Sequence, residues 1–290
     1  MLNYFKLGMY FLDSRLFGTK LPYSLSVDVT HRCNLRCKHC YFFQQNHAGE
    51  LNDEDFLKRI KEIKKEHPGI FQANWVGGEP LLRKKVVEKA MELFLANCVM
   101  TNGTIELPEW KDCFFYVSVD GTKEICEKIR GKGIYDKIKK NVDRKDIKIT
   151  LVCTLNKENY HCIEDMLEEW KKTQVKGIVF DFYTPMEGIK EDFYIEPELR
   201  DEIIDQLLKL KKKYGRFIWN SKSLLNSMKS ENASDVTLSC ILPRSTFSMN
   251  PMGERKLPCI LGEKLDCSKC GCVIPFHLHN IPLYKWMKDN

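Results

Sequence analysis

The sequence predicts an α/β fold, a parallel sheet wrapped by helices, followed by a small cysteine-rich extension. Short β-rich apolar runs alternate with amphipathic helical patterns, six times over, up to residue 215. Right-handed crossovers between parallel strands would curl such a sheet into an open barrel. The alternation stops near Gly215, and five of the 13 cysteines lie beyond it. The chain therefore divides into 1–215 and 216–290.

Residues 25–29 are the first β-rich run. Asn52 is placed to cap a helix over 53–66, whose Phe56, Ile60 and Ile63 share one face, and Pro68-Gly69 stops it. A strand over 71–76 leads to a helix over 84–96 with Val87, Ala90, Met91 and Phe94 inward. The third strand ends at Thr101-Asn102-Gly103. The fourth, over 114–120, shows period-two alternation and exits at Gly121. A helix over 134–142, a strand over 147–154, a helix over 163–172 and a strand over 177–183 follow. Leu199, Ile203, Leu207 and Leu210 mark a last amphipathic helix over 196–213. Residues 220–235 are polar and serine-rich and read as a mobile connection. Residues 246–260 read as a hairpin about Asn250-Pro251-Met252-Gly253.

With 290 residues, 43% of them hydrophobic, the chain can build one main core plus an appendage. The net charge of +6 is a small excess over mixed signs. The basic stretches at 58–65 and 209–213 fall in helical patterns and read as solvated faces, which argues against nucleic-acid binding. Such lysines also suit weak attraction to an acidic peptide or an anionic membrane surface. No run approaches the ~18 apolar residues of a membrane span. The apolar segment 1–18 is interrupted by Lys6, Asp13 and Arg15, with no signal-peptide cleavage site after it. It reads as a helix packed over the barrel mouth. Cys98, Cys113, Cys126, Cys153 and Cys162 are scattered and read as small apolar core residues, as suits a reducing cytoplasm.

Chemistry concentrates in the segment Thr30-His31-Arg32-Cys33-Asn34-Leu35-Arg36-Cys37-Lys38-His39-Cys40-Tyr41, which follows the first strand. Three thiolates on one loop can hold three irons of a cubane [4Fe–4S] cluster, where ordinary clusters take four. The fourth iron is left open to a ligand, as in catalytic metal sites generally. A zinc knuckle using His39 and a chance cluster of buried thiols are the alternatives for this loop alone. A second motif, Gly77-Gly78-Glu79-Pro80, follows the second strand. Glycines let the backbone turn sharply and approach a ligand closely. Alone this motif is an ordinary turn; after such a cysteine loop it is specific.

With Asn34-Leu35-Arg36 between its first two cysteines, the loop resembles that of the radical S-adenosylmethionine (SAM) superfamily. Ile129-Arg130-Gly131-Lys132-Gly133 resembles a further segment of that family. The resemblance implies a partial (β/α)6 TIM-like barrel with its motifs on the carboxyl rim. It implies that Cys33, Cys37 and Cys40 ligate a [4Fe–4S] cluster. The open iron would chelate SAM, and one electron would release a 5′-deoxyadenosyl radical. Gly77, Gly78, Glu79 and Pro80 would hold the SAM amino group. His39, where many relatives have an aromatic, would pack near the adenine. Ser118 and Asp120 would meet the ribose and carboxylate, and Arg130 the methionyl carboxylate. Asn156, Asp181, Tyr183 and Thr184 are further polar rim residues with the option of facing a substrate.

Cys240, Cys259, Cys267, Cys270 and Cys272 resemble the SPASM or twitch extensions of that family, which hold auxiliary [4Fe–4S] clusters. A full SPASM extension has cysteines for two clusters; this one has enough for one. A zinc staple and free thiols are the alternatives. The Cys259-Ile260-Leu261 exit also resembles the hopanoid adenosyltransferase type. Three functions follow as expectations: modification of a C–H of a peptide or protein, radical modification of a lipid or isoprenoid, and non-catalytic redox sensing. Gly77 to Pro80 argue against the last, since a sensor needs no SAM motif. The expected reductant is a ferredoxin or flavodoxin, in a cytoplasm poor in oxygen.

Overall fold

The computed structural model describes residues 21–44, 49–186 and 192–280; the apolar segment 1–18 lies outside them. The strands are β1 (Ser24–Asp28), β2 (Gln72–Val76), β3 (Ala96–Thr101), β4 (Cys113–Ser118), β5 (Lys148–Leu155), β6 (Ile178–Phe182) and β7 (Thr246–Met249). They form one seven-stranded sheet in the order β6-β5-β4-β3-β2-β1-β7, all parallel. The sheet is an open partial barrel with β6 and β7 at its edges.

The crossovers are α1 (Asp53–Glu66), α2 (Lys84–Met91), α3 (Lys123–Arg130), α4 (Tyr135–Val142) and α5 (Ile163–Trp170); α6 (Pro197–Tyr214) follows β6. Asn52 caps α1 as expected, accepting from the Glu54 and Asp55 amides, and Phe56, Ile60 and Ile63 are buried. α2 is shorter than the expected helix over 84–96. The Leu95 and Ala96 amides donate to the Phe71 carbonyl and draw the chain into β3. α3 is an element the sequence reading lacks; its buried Cys126, Ile129 and Arg130 give it a core-facing stripe.

Alternation along the strands sorts the barrel. On β2, Ala73 and Trp75 are buried while Gln72, Asn74 and Val76 are half-buried. Trp75 meets Phe94 edge-on at 5.9 Å, so the buried set faces the helices. The half-buried set lines the barrel's open interior. Cys113, Cys126, Cys153 and Cys162 are buried as expected; Cys98 belongs to the half-buried set of β3.

Beyond residue 215 the structure corrects two expectations. Residues 220–235 form no mobile connection: α7 (Lys222–Ser227) and α8 (Ser230–Leu238) occupy them. Their polarity hides a small apolar face of Leu224, Leu225, Met228 and Val236, all buried. The hairpin is only half present. Its turn forms, with the Asn250 amide donating to the Glu254 carbonyl and the Lys256 amide to the Ser248 carbonyl. Its first arm, β7, instead pairs in parallel with β1, from Ser24↔Thr246 to Val27↔Met249. The exposed edge of β1 offers a full ladder that the short return arm does not match. The sheet thus draws on both segments into which the sequence divides. No helix among the described residues is long and apolar enough to cross a membrane.

A buried ion pair ties this return arm to the barrel. Lys256 Nζ lies 2.5 Å from Asp28 Oδ2 at the end of β1, with side chains 7% and 2% exposed, and also donates to the Ile260 carbonyl. Removing one partner of such a pair leaves a buried charge and costs about 3–5 kcal/mol. Lys256→Met is therefore expected to lower stability to urea by about that amount. Adding Asp28→Asn should recover part of the loss. A double variant no more stable than Lys256→Met would show that the pair is not what holds the arm.

Candidate functional site

The cysteine loop follows β1 and the glycine turn follows β2, and their backbones are joined. The Gly78 amide donates to the Thr30 carbonyl and the Glu79 amide to the Arg32 carbonyl, each at 2.9 Å. A Cβ on Gly78 would stand 2.1 Å from the Arg32 oxygen; Gly77, at φ +109°, would bring one within 2.8 Å of the Val29 nitrogen. The close approach that the sequence assigns to a ligand is made to the cysteine loop itself.

Glu79 extends this seam to β3. It is fully buried, and burial raises its carboxyl against the hydrogen bonds that it accepts. Oε1 accepts from the Leu81 amide at 3.0 Å and from Thr101 Oγ1 at 2.8 Å; Oε2 accepts from the Asn102 amide at 2.8 Å. Pro80 opens the helical turn Pro80–Arg83. Asn102 Nδ2 then donates to Asn34 Oδ1 at 2.9 Å and lies 3.8 Å from Cys33 Sγ. Cys33, Cys37 and Cys40 are all half-buried. Burial raises the Cys33 thiol, and pushes the Cys37 thiol to about 11 against the pull of Arg130.

A second network lies across the loop. Asp120 is fully buried. Its Oδ2 accepts from Arg130 Nε at 2.6 Å and lies 2.7 Å from His39 Nε2, while Oδ1 accepts from the Thr154 amide at 3.2 Å. Burial alone would raise this carboxyl; Arg130 and His39 outweigh it and hold it well below the usual carboxylate range. An ionised carboxylate only accepts, so His39 Nε2 carries the proton of this contact and leaves Nδ1 as the ring's other polar atom. That Nδ1 is buried and has no partner among the described residues. The Lys38 amide donates to the Ile129 carbonyl, fixing the loop to the end of α3. His39, Asp120 and Arg130 thus come together as one unit. Ser118 closes β4, half-buried on the interior side.

The other rim residues divide. Asn156 is buried in its own turn, donating to the Thr154 carbonyl and accepting from the Glu158 amide. Thr184 Oγ1 accepts from the Gly271 amide at 2.9 Å, and Tyr183 is buried. Asp181 is the register partner of Thr154, one strand beyond the Asp120 network. Its Oδ1 is sealed from solvent with no partner among the described residues.

Beyond α8 the tail wraps the end of β6. Cys240, Cys259, Cys267, Cys270 and Cys272 line one cavity of about 50 Å³, beside Leu242 and Pro258. Among the described residues no three His, Cys, Asp or Glu side chains close on a single-ion position. The Phe182 amide donates to the Gly271 carbonyl at 3.0 Å, and a Cβ on Gly271 would lie 2.1 Å from the Phe182 oxygen. Only glycine fits between Cys270 and Cys272. A helix, α9 (Val273–His279), closes the segment.

Two residues escape the sequence reading. Tyr41 is half-buried directly after Cys40. Burial raises its phenol well above the usual value, and Asp28, Cys40, Cys272 and Cys259 add to the rise. Its place directly after Cys40 was the available signal. Arg200 is buried on α6, on the stripe of Ile203, Ile204 and Leu207. Burial lowers its guanidinium, against the charges of Cys270, Tyr194 and Asp201. A cation on an apolar stripe was its signal.

Residues 27–169 match the profile of the Radical SAM superfamily. An Fe-coproporphyrin III synthase of Methanosarcina barkeri is 32% identical over 163 residues, 50% of this chain and 40% of that one. A serine-type anaerobic sulfatase-maturating enzyme of Bacteroides thetaiotaomicron is 31% identical over 139 residues, 38% of this chain and 33% of that one. The chain thus spans under half the length of these curated relatives. Streptococcus suis SuiB bound to precursor peptide SuiA shares the fold, with a TM-score of 0.64 at 14% identity, over 98% of this chain and 71% of that one. The cysteine loop, the glycine turn and the Asp120 network all lie within the matched span, and the chain is a member of the radical SAM superfamily.

Proposed function

We propose that this chain is a radical SAM enzyme that modifies an unactivated C–H of a peptide or protein, with Cys33, Cys37 and Cys40 as ligands of its [4Fe–4S] cluster. The observation that carries the reading is the seam of Gly78 and Glu79 to the cysteine loop. It leaves three half-buried thiols on one short loop at the carboxyl rim. That donor set suits a cluster with one open iron. Bound there, cluster and SAM supply one-electron cleavage of the sulfonium bond and a 5′-deoxyadenosyl radical.

The chain's own residues hold and orient. The Leu35 amide at 3.4 Å and Asn102 Nδ2 at 3.8 Å stabilise negative charge on Cys33 Sγ. Carbonyls of the turn from Gly77 to Pro80 receive the SAM amino group; the Glu79 carboxylate holds that turn to β3. His39 Nδ1 is sealed with no partner among the described residues, and in the neutral ring it would accept from an amino donor such as that of adenine. Asp120 orients His39 and Arg130, so its part is positioning. Ser118 faces the interior, where the ribose would lie.

The tail cysteines would hold an auxiliary [4Fe–4S] cluster on four of the five, with zinc as the other donor-compatible occupant. The peptide reading is supported by the likeness to SuiB with its precursor peptide, which runs over 98% of this chain and so includes the tail. The sulfatase-maturating relative points the same way. A ferredoxin or flavodoxin would supply the electron.

The proposal is tested on anaerobically purified protein. The Cys33, Cys37 and Cys40 triple alanine variant should form no 5′-deoxyadenosine with dithionite. Total iron should fall from about eight to about four per chain if both sites hold cubanes. Deuterated peptide should pass deuterium into free 5′-deoxyadenosine. An adenosylated lipid or isoprenoid product would overturn the substrate class. SAM cleavage by the triple variant would overturn the whole reading.

Gly78→Ala probes the seam. The added Cβ meets backbone rather than a flexible side chain, so the loop must shift. Iron uptake at the rim is expected to fall together with SAM cleavage. Full iron with weakened SAM binding would instead locate the close approach at the cofactor.

Asp181 gives a pH signature. Burial pushes its carboxyl up to about 7, with Thr154 opposing and Asp120 adding. A carboxyl raised in the fold holds its proton where the unfolded chain has lost it. Its contribution to stability is therefore full below the usual carboxylate range and is lost as pH rises towards about 7. Asp181→Asn should raise the melting temperature at pH 8 and leave it near wild type at pH 4. Equal shifts at both pH values would show that Asp181 is not a buried acid.

A further inference from the structure

Arg200 is 7% exposed, at the start of α6 and behind the tail cysteines. A guanidinium carries five N–H donors in a fixed fork. Among the described residues only Nη1 finds an acceptor, the Cys270 carbonyl at 3.1 Å. Nε and Nη2 are both sealed from solvent with no partner among the described residues. The cation lies over two aromatic rings, 4.8 Å from the centre of Phe182 and 5.6 Å from that of Phe276. Ring faces offset part of the desolvation of a cation, but they accept no conventional hydrogen bond. A buried cation so arranged needs a nearby anion.

The same residues lead to that anion. Phe182 ends β6, and its amide holds the Gly271 carbonyl; Phe276 belongs to α9, directly beyond Cys272. Arg200 thus bonds Cys270 and lies over the two rings that flank this segment, whose Cys270 and Cys272 line the tail cavity with Cys240, Cys259 and Cys267. A metal held by four of these thiolates is a net-negative group. Net charge and hydrogen bonding are what set the reduction potential of an iron–sulfur cluster.

We propose that Arg200 is the charge-compensating and positioning residue of the tail metal–thiolate site: its fork fixes the Cys270-Gly271-Cys272 segment, and its charge favours the reduced cluster. This rests on the reading of the tail as a metal site. No other cation of the described residues donates to that segment's carbonyls.

The test uses the full chain carrying the Cys33, Cys37 and Cys40 alanine substitutions, so that only tail iron is observed, reconstituted with iron and sulfide alone. Arg200→Met keeps the bulk and removes the charge. Its cluster should titrate at a more negative midpoint by electron paramagnetic resonance and lose iron faster to a chelator. Arg200→Lys keeps the charge without the fork, so the midpoint should stay nearer to wild type while iron loss is still faster. Lys also keeps the comparison open if Met does not fold. A wild-type midpoint and wild-type iron retention in these variants, at full iron content, would overturn this proposal alone. A parent chain that takes up no iron in its tail would overturn the tail reading, and the proposal with it.

Discussion

The rim of this barrel depends on a contact between two pieces of backbone. Gly78 lies so close to the Arg32 carbonyl that no side chain fits between them. Hydrogen bonds from Gly78 and Glu79 hold the two strands of chain together. A loop of three thiols has little regular structure of its own. Its geometry is borrowed from β2 through this seam, and from β3 through Glu79 and Asn102. Regular strands therefore position an irregular loop, which is the general logic of sites at strand ends.

Around that seam, buried charges fall into two kinds. Asp120 and Asp28 are closed by partners within the protein, with Arg130 and His39 on one and Lys256 on the other. Asp181 and Arg200 are each left with sealed atoms that meet no partner among the described residues. Closed pairs set shape: one fixes His39 and Arg130, the other fixes the arm leading to Cys259. Open groups carry a cost that a structural role alone does not explain. They lie on the interior wall at β6 and behind the tail cavity, where chemistry beyond the cysteine loop would take place.

Much of this was legible in the sequence, because period-two and helical patterns report the face each residue turns to the core. Residues Phe56, Ile60 and Ile63, the Asn52 cap and the six alternating strands all follow from such local rules. What escaped was non-local. β7 joins β1 across more than two hundred residues of chain, and no local pattern names the edge on which a strand will lie. The helices at 222–227 and 230–238 were hidden by a serine-rich surface over a narrow apolar stripe. At the site, the residue types were legible but their partners were not. The glycines were read as a close approach to a ligand, and the approach that the fold itself makes is to the backbone of the cysteine loop. Asp120 and Arg130 were read as separate contacts to a cofactor and turn out to contact each other.

The addition of β7 also decides where the tail stands. Parallel pairing with β1 carries the chain to the same rim at which the cysteine loop begins, and the Lys256 to Asp28 pair turns it inward there. The tail then crosses to β6, where Gly271 docks on the Phe182 carbonyl. It thus runs from one edge strand of the partial barrel to the other. Tyr41 marks the result: burial raises its phenol, and Cys40 of the loop with Cys272 and Cys259 of the tail add to the rise. A parallel edge strand and one glycine thus fix the tail cysteines to the same sheet whose rim carries the cysteine loop. For the proposed peptide substrate, the tail would then be the wall beside the cysteine loop.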